Sequence, residues 1–362
     1  MPTHPAPIRE ELGGPEPPAH ARPRREPDES RATEPAESGP ARLGWRQGVI
    51  LYLGFFAGVV AVTWPLASSP ATLWPAHHDA RVFTWVMASV ARRLVSHPLA
   101  LFHGDVFYPY GLSLAYSELL LPPALLGLPG FVWGNPILTY NLLLLALWPL
   151  NGVAQAWVAF ALTRSRPAAW LAGSVFCLSP YFTEYYLEFQ MLLAALIPVA
   201  LLAWVRWLES LEPRWLVAAL AAFTAQALTS WYYAAVLALA LATLTGGFVC
   251  LRWRGWRWRR TLATLAIGVG VAGLVLSPFA SPYLAIHREV RFERGIDEVA
   301  RHYADLTTFV EAGRRSLLYR IELSNHIAET SAFVGFGVLA LAGVSLSWLW
   351  RRRSEPPPTL LV

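Results

Sequence analysis

Apolar residues run through this chain in blocks about as long as a bilayer is thick, separated by short clusters of arginine. A helix needs about 20 mostly apolar residues to cross the hydrocarbon core. The pattern predicts such helices over about 47–66, 137–162, 167–183, 190–208, 214–230, 232–251, 261–281 and 330–350. The clusters TRSRP (163–167), RWLESLEPRW (206–215), RWRGWRWRR (252–260) and RRR (351–353) lie between or after these runs. Basic residues favour the cytoplasmic side of a membrane. Placing every cluster there gives about eight crossings, with both the N-terminus and the C-terminus inside. The expected fold class is therefore all-α, a polytopic transmembrane helix bundle.

One apolar segment does not fit as a crossing. LLLPPALLGLPGFVWG (119–134) is short and broken by three prolines. If it crossed, TRSRP would land outside and the arginine pattern would fail. It is expected as an interfacial or re-entrant piece on the outer side. Two sizeable outer loops then remain, at about 67–136 and 284–328. Within the first, Val82, Val86, Val90 and Leu94 recur every four residues, while Arg81, Arg92 and Arg93 lie largely off that stripe. That spacing predicts an amphipathic helix lying flat on the membrane surface.

Residues 1–44 are rich in Pro, Ala, Glu and Arg and have no apolar period. Such a segment buries too little surface to offset its ordering entropy and is expected to be a disordered cytoplasmic tail. The membrane domain spans 45–351, and 352–362 form a second short tail.

Composition supports the membrane reading. The chain of 362 residues is 55% hydrophobic and only 15% charged, where soluble domains carry about 25% charged residues. Its 17 tryptophans suit membrane–water interfaces. The formal charge of +5 comes with no lysine. Because the arginines cluster between apolar runs, orientation explains them and nucleic acid is not an expected partner. Cys177 and Cys250 suggest neither a disulfide framework nor a metal site. No phosphate-binding G-x-x-x-x-G-K-[ST], G-x-S-x-G, H-E-x-x-H or paired C-x-x-C occurs. The interior polar residues are chiefly Asn141, Asn151, Gln155 and Gln226, which helix–helix hydrogen bonds would explain. Ionisable groups are nearly absent from the apolar runs, which weighs against an ion-coupled transporter.

The chemistry-bearing residues gather in the outer segments. Asp79, in PAHHDARVFTW (75–85), opens the amphipathic helix. It can serve as a cap on the helix N-terminus or as a base for an acceptor hydroxyl. Asp105, in HGDVFYP, is a turn residue or a second acid of the same loop. Glu118 is a solvated helix end or a third. In TEYYLEFQ (183–190), Glu184 and Glu188 share a helical face and Gln190 adds a polar group. The same residues could equally form an ordinary interfacial rim with Tyr185 and Tyr186. His77 and His78 are adjacent, a poor geometry for joint metal ligation with Asp79. Arg291, Arg294, Arg301, Arg314 and Arg315 of the second loop are candidates for a phosphate, or partners for nearby Glu289, Glu293 and Asp297.

In order and spacing, the acidic start of the first outer loop, FYPYGLSLAYSE (107–118), GNPILTYNLLLL (134–145), LAGSVFCLSPY (171–181) and ALTSWYY (227–233) resemble membrane glycosyltransferases of the GT-C superfamily. The likeness is to poorly characterised bacterial branches and covers about 46–350. It implies transfer of a sugar from a polyprenyl-phosphate carrier to an envelope glycan, lipid or protein, on the non-cytoplasmic face of the plasma (inner) membrane. It implies Asp79 and Asp105 as catalytic acids, and Glu118, Glu184, Glu188 and Gln190 near the acceptor or a metal. The five second-loop arginines would hold the donor phosphate. Metal use varies in that superfamily, and a divalent cation (Mg or Mn) is compatible with the carboxylates. Many members carry a soluble C-terminal domain, so acceptor selection here would fall to a partner protein. The competing reading is a transporter or assembly protein for envelope lipids or polysaccharides with no chemistry of its own, and a third is a shortened relative that keeps the fold without activity.

Overall fold

The computed structural model describes residues 43–75, 78–252, 258–290, 295–296, 306–311 and 333–351. Both expected tails lie outside these residues, apart from Leu43 and Gly44, and so does most of the second outer loop. Among the described residues every regular element is helical.

Four helices are long and apolar enough to cross a membrane. They are α1 (Trp45–Val62), α5 (Pro136–Thr163), α11 (Trp231–Arg252) and α12 (Trp258–Val290). The other expected spans are occupied by shorter helices, α6 (Arg166–Cys177), α9 (Leu196–Ser210), α10 (Pro213–Thr229) and α13 (Phe336–Arg351). Local sequence sets the starts. Asn135 caps α5 by accepting from the N–H groups of Ile137 and Leu138 at 2.8 and 3.2 Å, with Pro136 at the first helical position, where its missing N–H costs nothing. Ser165 caps α6 in the same way, accepting from Ala168 N–H at 3.3 Å.

The two runs expected at 167–183 and 190–208 are interrupted where they were expected to continue. The helix α6 stops at Cys177 because Ser179 and Pro180 start a new, six-residue helix, α7 (Pro180–Tyr185), with Ser179 as its cap. The residue before a proline is disfavoured in helical geometry, so Ser179-Pro180 is a natural break. The short α8 (Phe189–Leu192) follows, and α9 begins only at Leu196. The link between α6 and α9 is thus longer than the six residues expected at 184–189.

Irregular backbone within a membrane bundle needs internal partners for its polar groups. Side chains from the surrounding helices supply them. Asn151 of α5 donates to the Leu192 carbonyl at 2.7 Å and accepts from Ala194 N–H at 3.1 Å. Gln226 of α10 donates to the Leu193 carbonyl at 2.8 Å, and the Trp148 indole donates to the Cys177 carbonyl at 2.8 Å. Asn141 donates to the carbonyls of Pro70 and Leu73 at 2.8 and 2.7 Å. Asn141, Asn151 and Gln226 therefore bind backbone of the irregular segments and of the end of α8.

The segment 119–134 forms two six-residue helices, α3 (Leu121–Leu126) and α4 (Leu128–Trp133). At about 1.5 Å per residue each is about 9 Å long, far short of a bilayer core. The amphipathic helix of the first loop is α2 (His78–Ser96). Its buried face is not the predicted stripe. Val86 and Val90 are buried, but Val82 is 43% exposed, and the covered side runs through Ala80, Phe83, Thr84, Met87 and Ala91. That face packs on α3, α4 and α5. The stripe misled because a helix covered by several neighbours buries more than one ridge. Its apolar side is covered by protein.

In lipid, close packing rather than the hydrophobic effect holds helices together. A close approach joins α1, α5 and α6. A Cβ at Gly152 would stand 2.6 Å from Phe55, and one at Gly173 would stand 2.5 Å from Phe55 and 2.7 Å from the Gly152 carbonyl oxygen. Phe55 is 2% exposed and fills the notch these glycines leave.

Candidate functional site

A cavity of about 540 Å³ opens where the first loop meets the starts of α11 and the end of α12. Phe83 of α2, Tyr116, Glu118, Gln190, Trp231, Tyr232 and Tyr283 line it. Two segments distant in sequence thus bring their polar residues, Glu118 and Gln190, into one pocket.

Glu118 is 8% exposed. Its carboxylate sits on the N-terminus of α11. The Trp231 N–H is shared between Oε1 and Oε2 at 3.0 and 2.9 Å, and the Tyr232 N–H reaches Oε1 at 3.3 Å. The first N–H groups of a helix have no partner within it, and the helix dipole favours a negative charge there. Glu118 is therefore neither a solvated helix end nor a bare carboxylate. Burial raises its pKa above the usual carboxylate value, and the two backbone N–H groups pull it partly back. The Tyr283 hydroxyl of α12 donates to the Ser117 carbonyl at 3.0 Å, and its ring packs edge-on against Trp231 with centroids 5.7 Å apart. The strand of loop around Glu118 is thus tied to both α11 and α12.

Gln190 is 6% exposed. Its amide nitrogen donates to Glu188 Oε2 at 3.2 Å. A carboxylate only accepts, so this contact fixes which end of the amide is nitrogen. The amide oxygen is left buried with no hydrogen-bond partner.

Asp79 lies in the first turn of α2, one helical turn before Phe83 on the same face. Its side chain is 32% exposed, and His78 Nε2 stands 3.5 Å from its Oδ1. The Asp79 charge is within electrostatic reach of the Tyr140 hydroxyl, which is itself buried without a hydrogen-bond partner. The Tyr140 ring packs on Phe189, with centroids 5.1 Å apart, between Glu188 and Gln190 in the chain. Neither Asp79 nor Glu188 lines the pocket; Phe83, one turn after Asp79, and Gln190, two residues after Glu188, do.

Asp105 sits apart from this group. Its side chain is 85% exposed and paired with Arg93 at 3.2 Å, and it does not line the pocket. Glu184 lies on α7, half-buried. His77, Arg291, Arg294, Arg301, Arg314 and Arg315 lie outside the described residues. Among the described residues no three His, Cys, Asp or Glu side chains come together as a metal-holding group. Glu118, the acid in the pocket wall, already has backbone donors on both oxygens.

A second cavity, of about 680 Å³, is mostly apolar. Leu171, Val175, Phe176 and Ile197 are among its walls, joined by Phe333 and Val338 at and near α13. Tyr181 and Tyr233 line its polar end. The Tyr233 hydroxyl donates to the Met191 carbonyl, next to Gln190, and stands 3.3 Å from the Tyr181 hydroxyl.

Of the residues that line the pocket, the sequence singled out Glu118 and Gln190 but not Trp231, Tyr232 or Tyr283. ALTSWYY did carry a signal, a helix start rich in aromatics, but nothing local pairs it with an acid 113 residues earlier. No family model matches the chain, and no curated protein or solved structure matches it either.

Proposed function

We propose that this chain is a membrane glycosyltransferase of the GT-C kind. It moves a sugar from a polyprenyl-phosphate donor to an envelope glycan, lipid or protein on the non-cytoplasmic face of the plasma membrane. In this proposal the chain crosses about eight times with both ends inside, and the pocket opens outward.

The observation that carries the reading is the pocket that joins Glu118 and Gln190 from two segments distant in sequence under a wall of aromatic rings. Aromatic faces with a few polar groups suit a sugar ring. The second, apolar cavity, with tyrosines at its polar end, suits the first part of a lipid chain.

Asp79 is the proposed base. Its carboxylate takes the proton of the acceptor hydroxyl as that oxygen attacks the anomeric carbon. The bond from that carbon to the phosphate oxygen breaks, and the electron pair leaves with the polyprenyl phosphate. The configuration at the anomeric carbon inverts. Glu118, with its oxygens held by backbone, positions the pocket wall and is not a second base.

The test is reconstitution. Purified protein in liposomes is given radiolabelled polyprenyl-phosphate hexose and an envelope extract as acceptor. Transfer of label with release of polyprenyl phosphate supports the proposal, provided Asp79→Asn lowers the rate at least about 100-fold, the scale of a general base. No transfer by wild type across a panel of donors, with lipid movement between leaflets instead, moves the transporter reading to the front.

A further inference from the structure

We infer that the Glu118–Gln190 pocket selects an uncharged, hydroxyl-bearing ring, and that Gln190 is the residue that reads one of its hydroxyls. This deepens the transferase reading, on which it rests only for what becomes of the ring after binding.

Three observations lead there. The first is the unpartnered oxygen of Gln190. A buried acceptor without a donor is costly, about 1–3 kcal/mol, and Gln190 lines the pocket while its nitrogen is held by Glu188. The terminal torsion of a glutamine is broad, so a small turn of the amide brings that oxygen to a donor in the cavity. A hydroxyl is such a donor. The second is the charge of the walls. Among the described residues Glu118 is the single charged residue lining the pocket, and no arginine or histidine lines it. Among the described residues an anionic ring would meet a carboxylate and no cation. The third is where the Glu118 charge points. It faces the N-terminus of α11, whose N–H groups and dipole answer it. Little of that charge remains to hold an ammonium, so the aromatic walls do not act as a cation cage. What is left is a set of aromatic faces (Tyr116, Trp231, Tyr232, Tyr283), a few hydroxyls, and the buried unpartnered oxygen of Gln190. That combination fits the C–H face and one hydroxyl of a neutral ring, and the volume suits a ligand of that size.

The experiment measures binding, not turnover. The full chain in lipid nanodiscs is titrated by saturation-transfer NMR with methyl glucopyranoside, methyl glucosaminide and methyl glucuronoside. Wild type is compared with Gln190→Met, which keeps the volume and removes the acceptor. It is also compared with Tyr232→Ala, which removes a ring that is 56% exposed and so does not threaten the fold. The inference expects saturable binding of the neutral glycoside, weakened about 5- to 10-fold by each variant, with the glucosaminide no tighter and the glucuronoside not bound. It is overturned by equal binding of the glucuronoside, by a glucosaminide preference of about tenfold or more, by no binding of the neutral probe, or by both variants binding like wild type. Binding with this pattern but no transfer in liposomes upholds the pocket and removes the transferase reading. Transfer that persists unchanged in both variants upholds the transferase reading and removes this inference.

Discussion

Glu118→Ala removes the one side-chain acceptor that the N-terminus of α11 receives from the first outer loop. The structure gives the size of the effect. Two backbone N–H groups, of Trp231 and Tyr232, lose their partner, in a place where the carboxylate is only 8% exposed and water does not readily replace it. Losing a helix cap costs about 0.5–2 kcal/mol. Losing a negative charge at a helix N-terminus adds about 0.3–1 kcal/mol. The sum, about 1–3 kcal/mol, is a factor of about 5 to 100 in a local opening equilibrium, since each 1.4 kcal/mol is tenfold. Hydrogen–deuterium exchange of the peptide covering Ser230–Tyr233 reads it directly. In Glu118→Ala these amides should exchange about 5- to 100-fold faster, and amides in the middle of α5 should not change. Glu118→Gln keeps an acceptor oxygen and should stay within about tenfold of wild type. Equal protection in wild type and Glu118→Ala would refute the assignment of Glu118 as the link between loop and helix.

The pH dependence of the same residue follows from its raised pKa. A carboxyl whose folded pKa lies above its unfolded value stabilises the fold most below the unfolded value, 4.5, and that contribution is lost as pH rises through the folded value. The apparent melting temperature of wild type relative to Glu118→Gln should therefore fall as pH rises from about 4.5 toward neutrality; a gap that widens in the opposite sense contradicts the burial argument. Gly173→Ala forces a methyl group against Phe55 and the Gly152 carbonyl, and overpacking of this kind costs about 1–3 kcal/mol, read as a lower melting temperature in detergent. Asn151→Leu strips partners from the Leu192 carbonyl and the Ala194 N–H together; about 2–4 kcal/mol of lost stability is expected, from about 1–3 for each orphaned group less the gain in apolar packing. Asp105→Ala breaks only an exposed pair with Arg93, so stability should shift by less than about 1 kcal/mol, and transfer activity should stay within about twofold of wild type.

Helix content was legible because apolar blocks bounded by Pro, Gly and arginine can satisfy their backbone in lipid only as helices. The starts at Asn135-Pro136 and Ser165 were readable for the same local reason. The break after Cys177 had a signal in Ser179-Pro180, but a mean over an apolar run hides it. The long link from there to α9 could not be inferred, because its stability comes from Asn151, Gln226 and Trp148 on helices distant in sequence. The face of α2 was misread since a four-residue stripe shows one ridge and cannot show how many neighbours a helix has. In the site, the acids Asp79, Glu118 and Glu188 stand out in any reading, as polar residues in apolar company do. Which of them face a cavity and which are held by backbone depends on tertiary contacts such as Glu118 with Trp231, and no local pattern encodes those.

The central claim is that Asp79 performs chemistry at an outer pocket. The most direct measurement removes the gene from its host, profiles the envelope glycans and glycolipids, and restores wild type or Asp79→Asn at matched membrane levels. The account predicts a sugar that disappears on deletion, returns with wild type and does not return with Asp79→Asn. Full restoration by both would contradict it, leaving Asp79 as a helix-terminal acid and the chain without a transferase base at that position.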